Sequence, residues 1–319
     1  MEIIRNPTLS EVKRAAKALI DGHLVAFPTE TVYGLGADAA NEKAVSRIYS
    51  VKGRPTGHPL IVHISSIEQL EKWAKNLPDY AIKLAEKFWP GPMTLIVKRS
   101  ALAKDFITGG QDTVGLRVPA HPIAQDLLAE FEELGGSGIA APSANRFGAV
   151  SATTSVDVKD EIGNRLNTND VILNGGSSPI GIESAIIDCS KKSPTILRPG
   201  AVTREMIENT LDLRLFSVIG DTKVRFSGSY KTHYSPKAQV KLSGPTQPGD
   251  GFIALSEIAT PVGTIRLASP IDANQYAEQI YSAFRLGDAK GIMTIIAIPP
   301  EGDGLSEAIA DRLSKASFR

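Results

Sequence analysis

The chain has 319 residues, more than one ordinary domain of about 100–200 residues holds, so two domains are expected. Hydrophobic residues make up 42% and charged residues 22%, a globular composition with enough apolar material for a sizeable core. Lys plus Arg balances Asp plus Glu at 35 each, which argues against a chain built mainly for long-range nucleic-acid binding but leaves room for a local cationic pocket. The one cysteine, Cys189, rules out a disulfide within the chain and a multi-cysteine metal site. At the end of the apolar run Ile186-Ile187-Asp188 it reads as a buried structural thiol. The opening residues MEIIRNPTLS carry no basic segment followed by an apolar run, and no stretch approaches about 18 consecutive apolar residues. Neither a signal peptide nor a membrane span is expected, and the expected location is cytoplasmic.

In chain order, Val12, Ala15, Ala16, Leu19 and Ile20 have helical spacing over 11–21, with Ser10 as the expected N-cap. Leu24–Phe27, stopped by Pro28, suits a buried strand. A helix is expected over 42–51, closed by Gly53 as its C′ residue, then a strand at 60–64 and a helix over 79–89 ended by Pro90-Gly91-Pro92. Further strands are expected at 94–97, 114–118, 138–141, 171–173 and 184–188. Helices mixed with near-continuous apolar strands indicate α/β, a sheet covered by helices, without a regular doubly wound order. The stretch 217–238 is turn-rich and lacks apolar repeats, so it reads as a linker. Beyond it, strands at 240–242, 252–255, 264–267 and 292–298 alternate with helices at 274–286 and 305–316, a small Rossmann-like α/β unit. The expected division is 1–216, a linker and lid at 217–238, and 239–319.

The residues that suggest chemistry fall at strand ends and in loops. Pro28-Thr29-Glu30-Thr31-Val32-Tyr33-Gly34-Leu35-Gly36 offers hydroxyls and a carboxylate after a buried strand, as a ligand-fixing loop or a Thr-rich turn would. Lys52-Gly53-Arg54-Pro55-Thr56-Gly57-His58-Pro59 places two cations in a loop stiffened by prolines, suited to a polyphosphate or to a solvated basic loop. His63 lies in an apolar strand, either a satisfied core residue or a ligand contact. Arg117 interrupts the strand Val114–Val118, and burial there demands a partner: a protein carboxylate or an anionic ligand. Ala141-Pro142-Ser143-Ala144-Asn145 delivers Ser143 into a turn of small residues that is not a nucleophile elbow. Ser184 and Arg198 add a hydroxyl and a third guanidinium. No Walker A or dinucleotide fingerprint is present.

Taken in order, PTETVYGLGADA, KGRPTGHPLIVHI, FWPGPMTLIV, VGLRVPAHP, APSANRFG, GIESAIID and ILRPGAVT resemble the signature blocks of the YrdC/Sua5 family over residues 10–210. The linker SGSYKTHYSPKA and the ending GLSEAIADRLSKA resemble the long Sua5 form. The linker departs from the family pattern at Tyr230-Lys231 and Thr232. The resemblance implies a twisted open mixed sheet with helices around a concave cleft, and synthesis of threonylcarbamoyl-AMP from L-threonine, bicarbonate or CO2, and ATP accompanied by Mg²⁺. The product would pass to a tRNA-modifying transferase that makes threonylcarbamoyladenosine. Carried over by motif, Thr31, His63, Arg117 and Ser184 would hold threonine, with the backbone of Ala141. Lys52, Arg54 and His58 would meet the ATP phosphates, with Lys52 and Arg54 as the catalytic cations. Thr113, Ser143, Ser151 and Arg198 would complete the nucleotide site, and His233, Tyr234 and Tyr230 would close over it. No protein-ligated metal is implied. Weak RNA binding through a positive cleft is a further implication, against which the neutral net charge argues.

Overall fold

The computed structural model describes residues 1–215, 224–226, 228 and 233–318. Most of the expected linker, with Tyr230, Lys231 and Thr232, therefore lies outside the described residues. The first part of the chain runs β1 (Glu2–Arg5), α1 (Leu9–Ile20), β2 (Val25–Phe27), β3 (Gly34–Asp38), α2 (Glu42–Lys52), β4 (Ile61–His63), α3 (Leu70–Trp73), α4 (Asp79–Phe88), β5 (Met93–Lys98), α5 (Asp105–Thr108) and β6 (Thr113–Arg117). It continues through α6 (Pro122–Glu133), β7 (Ile139–Ala140), α7 (Ser155–Ile162), β8 (Val171–Asn174), β9 (Ala185–Asp188), β10 (Thr195–Arg198) and α8 (Arg204–Leu211). The second part runs β11 (Gln239–Lys241), β12 (Gly251–Ile253), β13 (Ile265–Ala268), α9 (Ala273–Ala289), β14 (Thr294–Ala297) and α10 (Leu305–Ser317).

The first ten strands form one mixed sheet in the order β1-β8-β2-β3-β7-β4-β6-β5-β9-β10. Its two faces bury separate apolar layers. One packs Leu19, Phe27, Leu127 and Phe131 beneath α1 and α6, and the other packs Val45, Ile48, Leu84, Val62 and Leu116 beneath α2 and α4. The last four strands form a parallel sheet in the order β11-β14-β12-β13, as the alternating pattern indicated. Its core takes in Val32, Val150 and Ile182 from the loops of the large sheet, so the two sheet units share one apolar contact. Among the described residues no helix is long and apolar enough to cross a membrane.

Several local expectations change. The N-cap of α1 is Thr8, not Ser10: its hydroxyl and backbone N–H both donate to the Glu11 carboxylate, which places the helix start two residues earlier. Gly34 and Gly36 belong to a strand rather than to a ligand loop. A Cβ at Gly36 would stand 2.7 Å from Ile139 Cγ2 and 2.9 Å from Phe27 Cε1, so glycine here allows side chains from β2 and β7 to close over β3. Gly53 follows α2 at φ 62°, the left-handed stop expected of it.

Candidate active site

A cleft opens over the large sheet, lined from β4, β6, the loops after β2 and β7, the approach to β9, the end of β10, and residues 54, 228, 233 and 234. Strand alternation sets its floor. Ile61 and His63, two apart on β4, line the cleft, while Val62 between them belongs to the core. Parallel pairing of β4 with β6 puts His63 directly beside Arg117. The loop after β7 is held by a bridge between Ser143 and Gly34, which brings Ala141, Pro142 and Ser143 to the same wall.

At one end Arg117 is 5% exposed and donates to three protein acceptors. Its Nη2 donates to Glu30 Oε1 at 2.5 Å, its Nη1 to Thr31 Oγ1 at 2.9 Å, and its Nε to the Gly91 carbonyl at 3.2 Å. The other Glu30 oxygen accepts the Ala120 N–H. Thr29 closes the turn: its hydroxyl donates to the Val32 carbonyl and accepts from the Thr31 and Val32 N–H groups. Burial first, and then the charge of Arg117, hold His63 down at about pKa 3, so its imidazole is neutral at physiological pH. The sequence left Arg117 between a carboxylate partner and an anionic ligand. The fold supplies the carboxylate and still exposes the guanidinium to the cleft.

Along the second wall stand Arg54 and Ser143. Arg54 donates to the Pro59 carbonyl at 3.1 Å and lies over the Phe147 ring at 5.7 Å. Phe147 also meets the rings of His58 and His233, at 6.0 Å and 6.2 Å between centroids. Lys52 is turned to a different task. Its Nζ donates to the carbonyl oxygens of Ser143 and Asn145, 2.5 Å from each, and its side chain is buried outside the cleft lining. Burial, followed by the charge of Arg54, lowers its pKa well below the usual lysine value.

The third wall joins Ser184, Arg198 and Glu183. Arg198 donates through Nε to the Ser184 carbonyl at 3.0 Å and through Nη2 to its hydroxyl at 3.2 Å, while Thr94 Oγ1 lies 2.8 Å from the same hydroxyl. Glu183 accepts from Ser151 Oγ at 2.5 Å and from Tyr281 Oη at 3.0 Å. Above it, the His233 and Tyr234 rings pack edge to face at 4.1 Å, and Tyr234 is completely buried.

Of the residues singled out by sequence, Thr31, Arg54, His63, Arg117, Ala141, Ser143, Ser184, Arg198, His233 and Tyr234 converge on the cleft. Lys52, His58, Thr113 and Ser151 are not among the residues that line it. Glu183 and Phe147 lay inside the motifs but were given no role. Arg312 and Tyr281, which touch Glu183, lie in an ordinary-looking helical pattern that carries no local signal.

A concave α/β cleft edged by Arg54, Arg117 and Arg198, with hydroxyls and neutral imidazoles between them, has the chemistry to suit a small anionic ligand and is not arranged as a nucleophilic triad. Residues 17–200 match the Sua5/YciO/YrdC family model, described as telomere recombination, and 202–317 match a model described as the C-terminal domain of threonylcarbamoyl-AMP synthase. The chain belongs to the Sua5/YciO/YrdC family. It is 40% identical to the threonylcarbamoyl-AMP synthase of Pyrococcus abyssi, covering 96% of this chain and 94% of that one. It is 36% identical to the threonylcarbamoyl-AMP synthase of Bacillus subtilis, covering 96% and 93%. The crystal structure of Pyrococcus abyssi Sua5 complexed with L-threonine superposes with a TM-score of 0.87 at 37% identity, over 99% of this chain and 97% of that one.

Proposed function

We propose that this chain condenses L-threonine, bicarbonate or CO2, and ATP into threonylcarbamoyl-AMP with release of pyrophosphate, for threonylcarbamoyladenosine modification of tRNA in the cytoplasm. The observation that carries this reading is the convergence of Arg117, His63, Thr31 and Ser184 with Arg54, Ser143 and Arg198 in one cleft, in a chain similar over nearly its whole length to synthases of that name.

The reaction needs alignment and charge neutralisation more than covalent chemistry. Threonine's amine adds to CO2 and loses a proton, giving a carbamate. A carbamate oxygen attacks the α-phosphorus of ATP and pyrophosphate leaves. Arg117 commits three of its five N–H donors to Glu30, Thr31 and Gly91, leaving two directed to the threonine carboxylate. His63, neutral and with Nδ1 unpartnered among the described residues, suits the amine or hydroxyl. The backbone of Ala141 and the Ser184 hydroxyl complete the amino-acid end. Arg54 and Arg198 neutralise the phosphates, and Ser143 offers its hydroxyl beside them. Mg²⁺ arrives with ATP as part of the substrate, held by phosphate oxygens and water. Lys52 acts through the loop 143–145 whose carbonyls it binds, His58 through Phe147, and Ser151 through Glu183; Thr113 begins the strand that ends in Arg117. His233 and Tyr234 cover the site, which keeps water from a labile acyl-adenylate.

Pyrophosphate release is measured with purified protein and MgATP, with and without L-threonine and bicarbonate, and the adenylate is identified by mass. Release that requires both and yields a threonine-containing adenylate is the expected result. Release indifferent to threonine from folded protein overturns the reading.

A further inference from the structure

The small-sheet unit touches the wall of the cleft through two helices. From α10, Arg312 is completely buried and donates Nε to Glu183 Oε2 at 2.9 Å, Nη2 to the Glu183 carbonyl at 3.1 Å, and Nη1 to the Pro199 carbonyl at 3.0 Å. From α9, Tyr281 donates its hydroxyl to the same carboxylate. The two also bracket Tyr234: the guanidinium lies 5.5 Å from its ring centroid, and the Tyr281 ring stacks on it at 5.8 Å. Glu183 and Tyr234 both line the cleft, and Pro199 follows Arg198 directly. One guanidinium thus grips three successive pieces of the wall: the strand approach carrying Ser184, the chain after Arg198, and the covering aromatic.

We propose that Arg312 and Tyr281 are positioning residues of the cleft, acting through Glu183 and Tyr234, so that the C-terminal unit completes the substrate site. This rests on the function proposed above. The physical argument is that Glu183 is buried, and a buried carboxylate stays ionised and fixed only with charged and hydrogen-bonding partners. Burial pushes its pKa up, and the charges of Arg312 and then Arg198, with the Ser151 hydrogen bond, bring it down to about 2. The groups facing it are Arg312 and Tyr281 from the helices, Arg198 from β10, His233 and Tyr234 from the covering segment, and Lys52 from α2. His233 is neutral, so Arg312 and Arg198 are the cations closest in effect.

The test compares Arg312→Gln, Arg312→Lys and Tyr281→Phe with a control, Arg266→Gln. Arg266 is held by carbonyls of Ala254, Leu255 and Ala268 within the small-sheet unit and does not touch the cleft. Threonine-dependent pyrophosphate release is followed across pH, together with melting temperature. Tyr281→Phe is expected to keep its melting temperature near wild type while kcat/KM falls about tenfold, the equivalent of one hydrogen bond near 1.4 kcal/mol. Arg312→Gln is expected to move the acid limb to higher pH, and Arg312→Lys to restore the limb without the full kcat, since an ammonium cannot form the fork. Arg266→Gln should lower the melting temperature alone. Unchanged kcat/KM and an unchanged acid limb in the Arg312 and Tyr281 variants overturn the proposal, as does a control that shifts the limb equally. Should Arg312→Gln not fold, Tyr281→Phe decides. A wild type without threonine-dependent release sinks the functional reading instead. The positioning role is then read from the rise in melting temperature caused by ATP, expected to shrink in Tyr281→Phe and overturned by equal shifts.

Discussion

Arg117 and Glu30 form a buried ion pair at the amino-acid end of the cleft, Nη2 to Oε1 at 2.5 Å, with side chains 6% and 10% exposed. Removing one partner of such a pair leaves the other charged and desolvated, at a cost of about 3–5 kcal/mol. Glu30→Ala is therefore expected to lower the unfolding free energy extracted from urea titrations by about 3–5 kcal/mol. Because a threonine carboxylate would then be the replacement partner for Arg117, L-threonine should raise the melting temperature of Glu30→Ala more than that of wild type. An unfolding curve identical to wild type would show that the pair carries no such weight.

Arg54 faces the cleft and anchors itself through the Pro59 carbonyl and the Phe147 ring. Its proposed role is phosphate neutralisation, and loss of one preorganised donor to a developing charge costs about 10²–10³ in rate. Arg54→Ala should lose turnover on that scale, measured as pyrophosphate release, with a much smaller change in melting temperature. Parallel loss of both would assign it to the scaffold.

Tyr234 buries a hydroxyl that has no hydrogen-bond partner among the described residues, and its ring remains packed between Arg312 and Tyr281. Deleting an unsatisfied buried hydroxyl does not destabilise a fold. Tyr234→Phe should match or exceed wild type in thermal melting, while the proposed role of Tyr234 over the nucleotide predicts a rise in KM for ATP. A fall in melting temperature with unchanged KM would contradict this.

Two cleft histidines contribute to the pH dependence of stability. Burial first holds His63 and His233 at about pKa 3, against an ordinary 6.5. Between these values the unfolded chain binds protons that the folded chain does not, so stability is full above about pH 6.5 and falls as pH drops towards 3. Each histidine contributes a slope of about 1.4 kcal/mol per pH unit once below its unfolded value. Glu183, depressed from 4.5 to about 2, adds its loss only below 4.5. His63→Asn should therefore flatten the decline in urea stability between pH 6.5 and 5, and an unaltered slope would remove His63 from the account.

Apolar spacing and turn residues made most elements legible. Val12 to Ile20 gave α1, the run before Pro28 gave β2, and Gly53 marked the end of α2. β3 was not legible, because Gly34 and Gly36 signal a loop locally and are needed there only by the close packing of Phe27 and Ile139. The chemical character of the site was also local: cations beside prolines, hydroxyls after buried strands, and an arginine inside an apolar one. Which groups those residues meet depended on partners far away along the chain. Arg117 finds Glu30 at a separation of 87 residues, Lys52 finds the carbonyls of Ser143 and Asn145, and Arg312 finds Glu183 across 129 residues. Sequence determined the elements and the residue types offered to the cleft, since propensity and periodicity act over a few residues. Tertiary packing alone decided the buried ion pairs, because desolvation and charge pairing depend on what surrounds a group after folding.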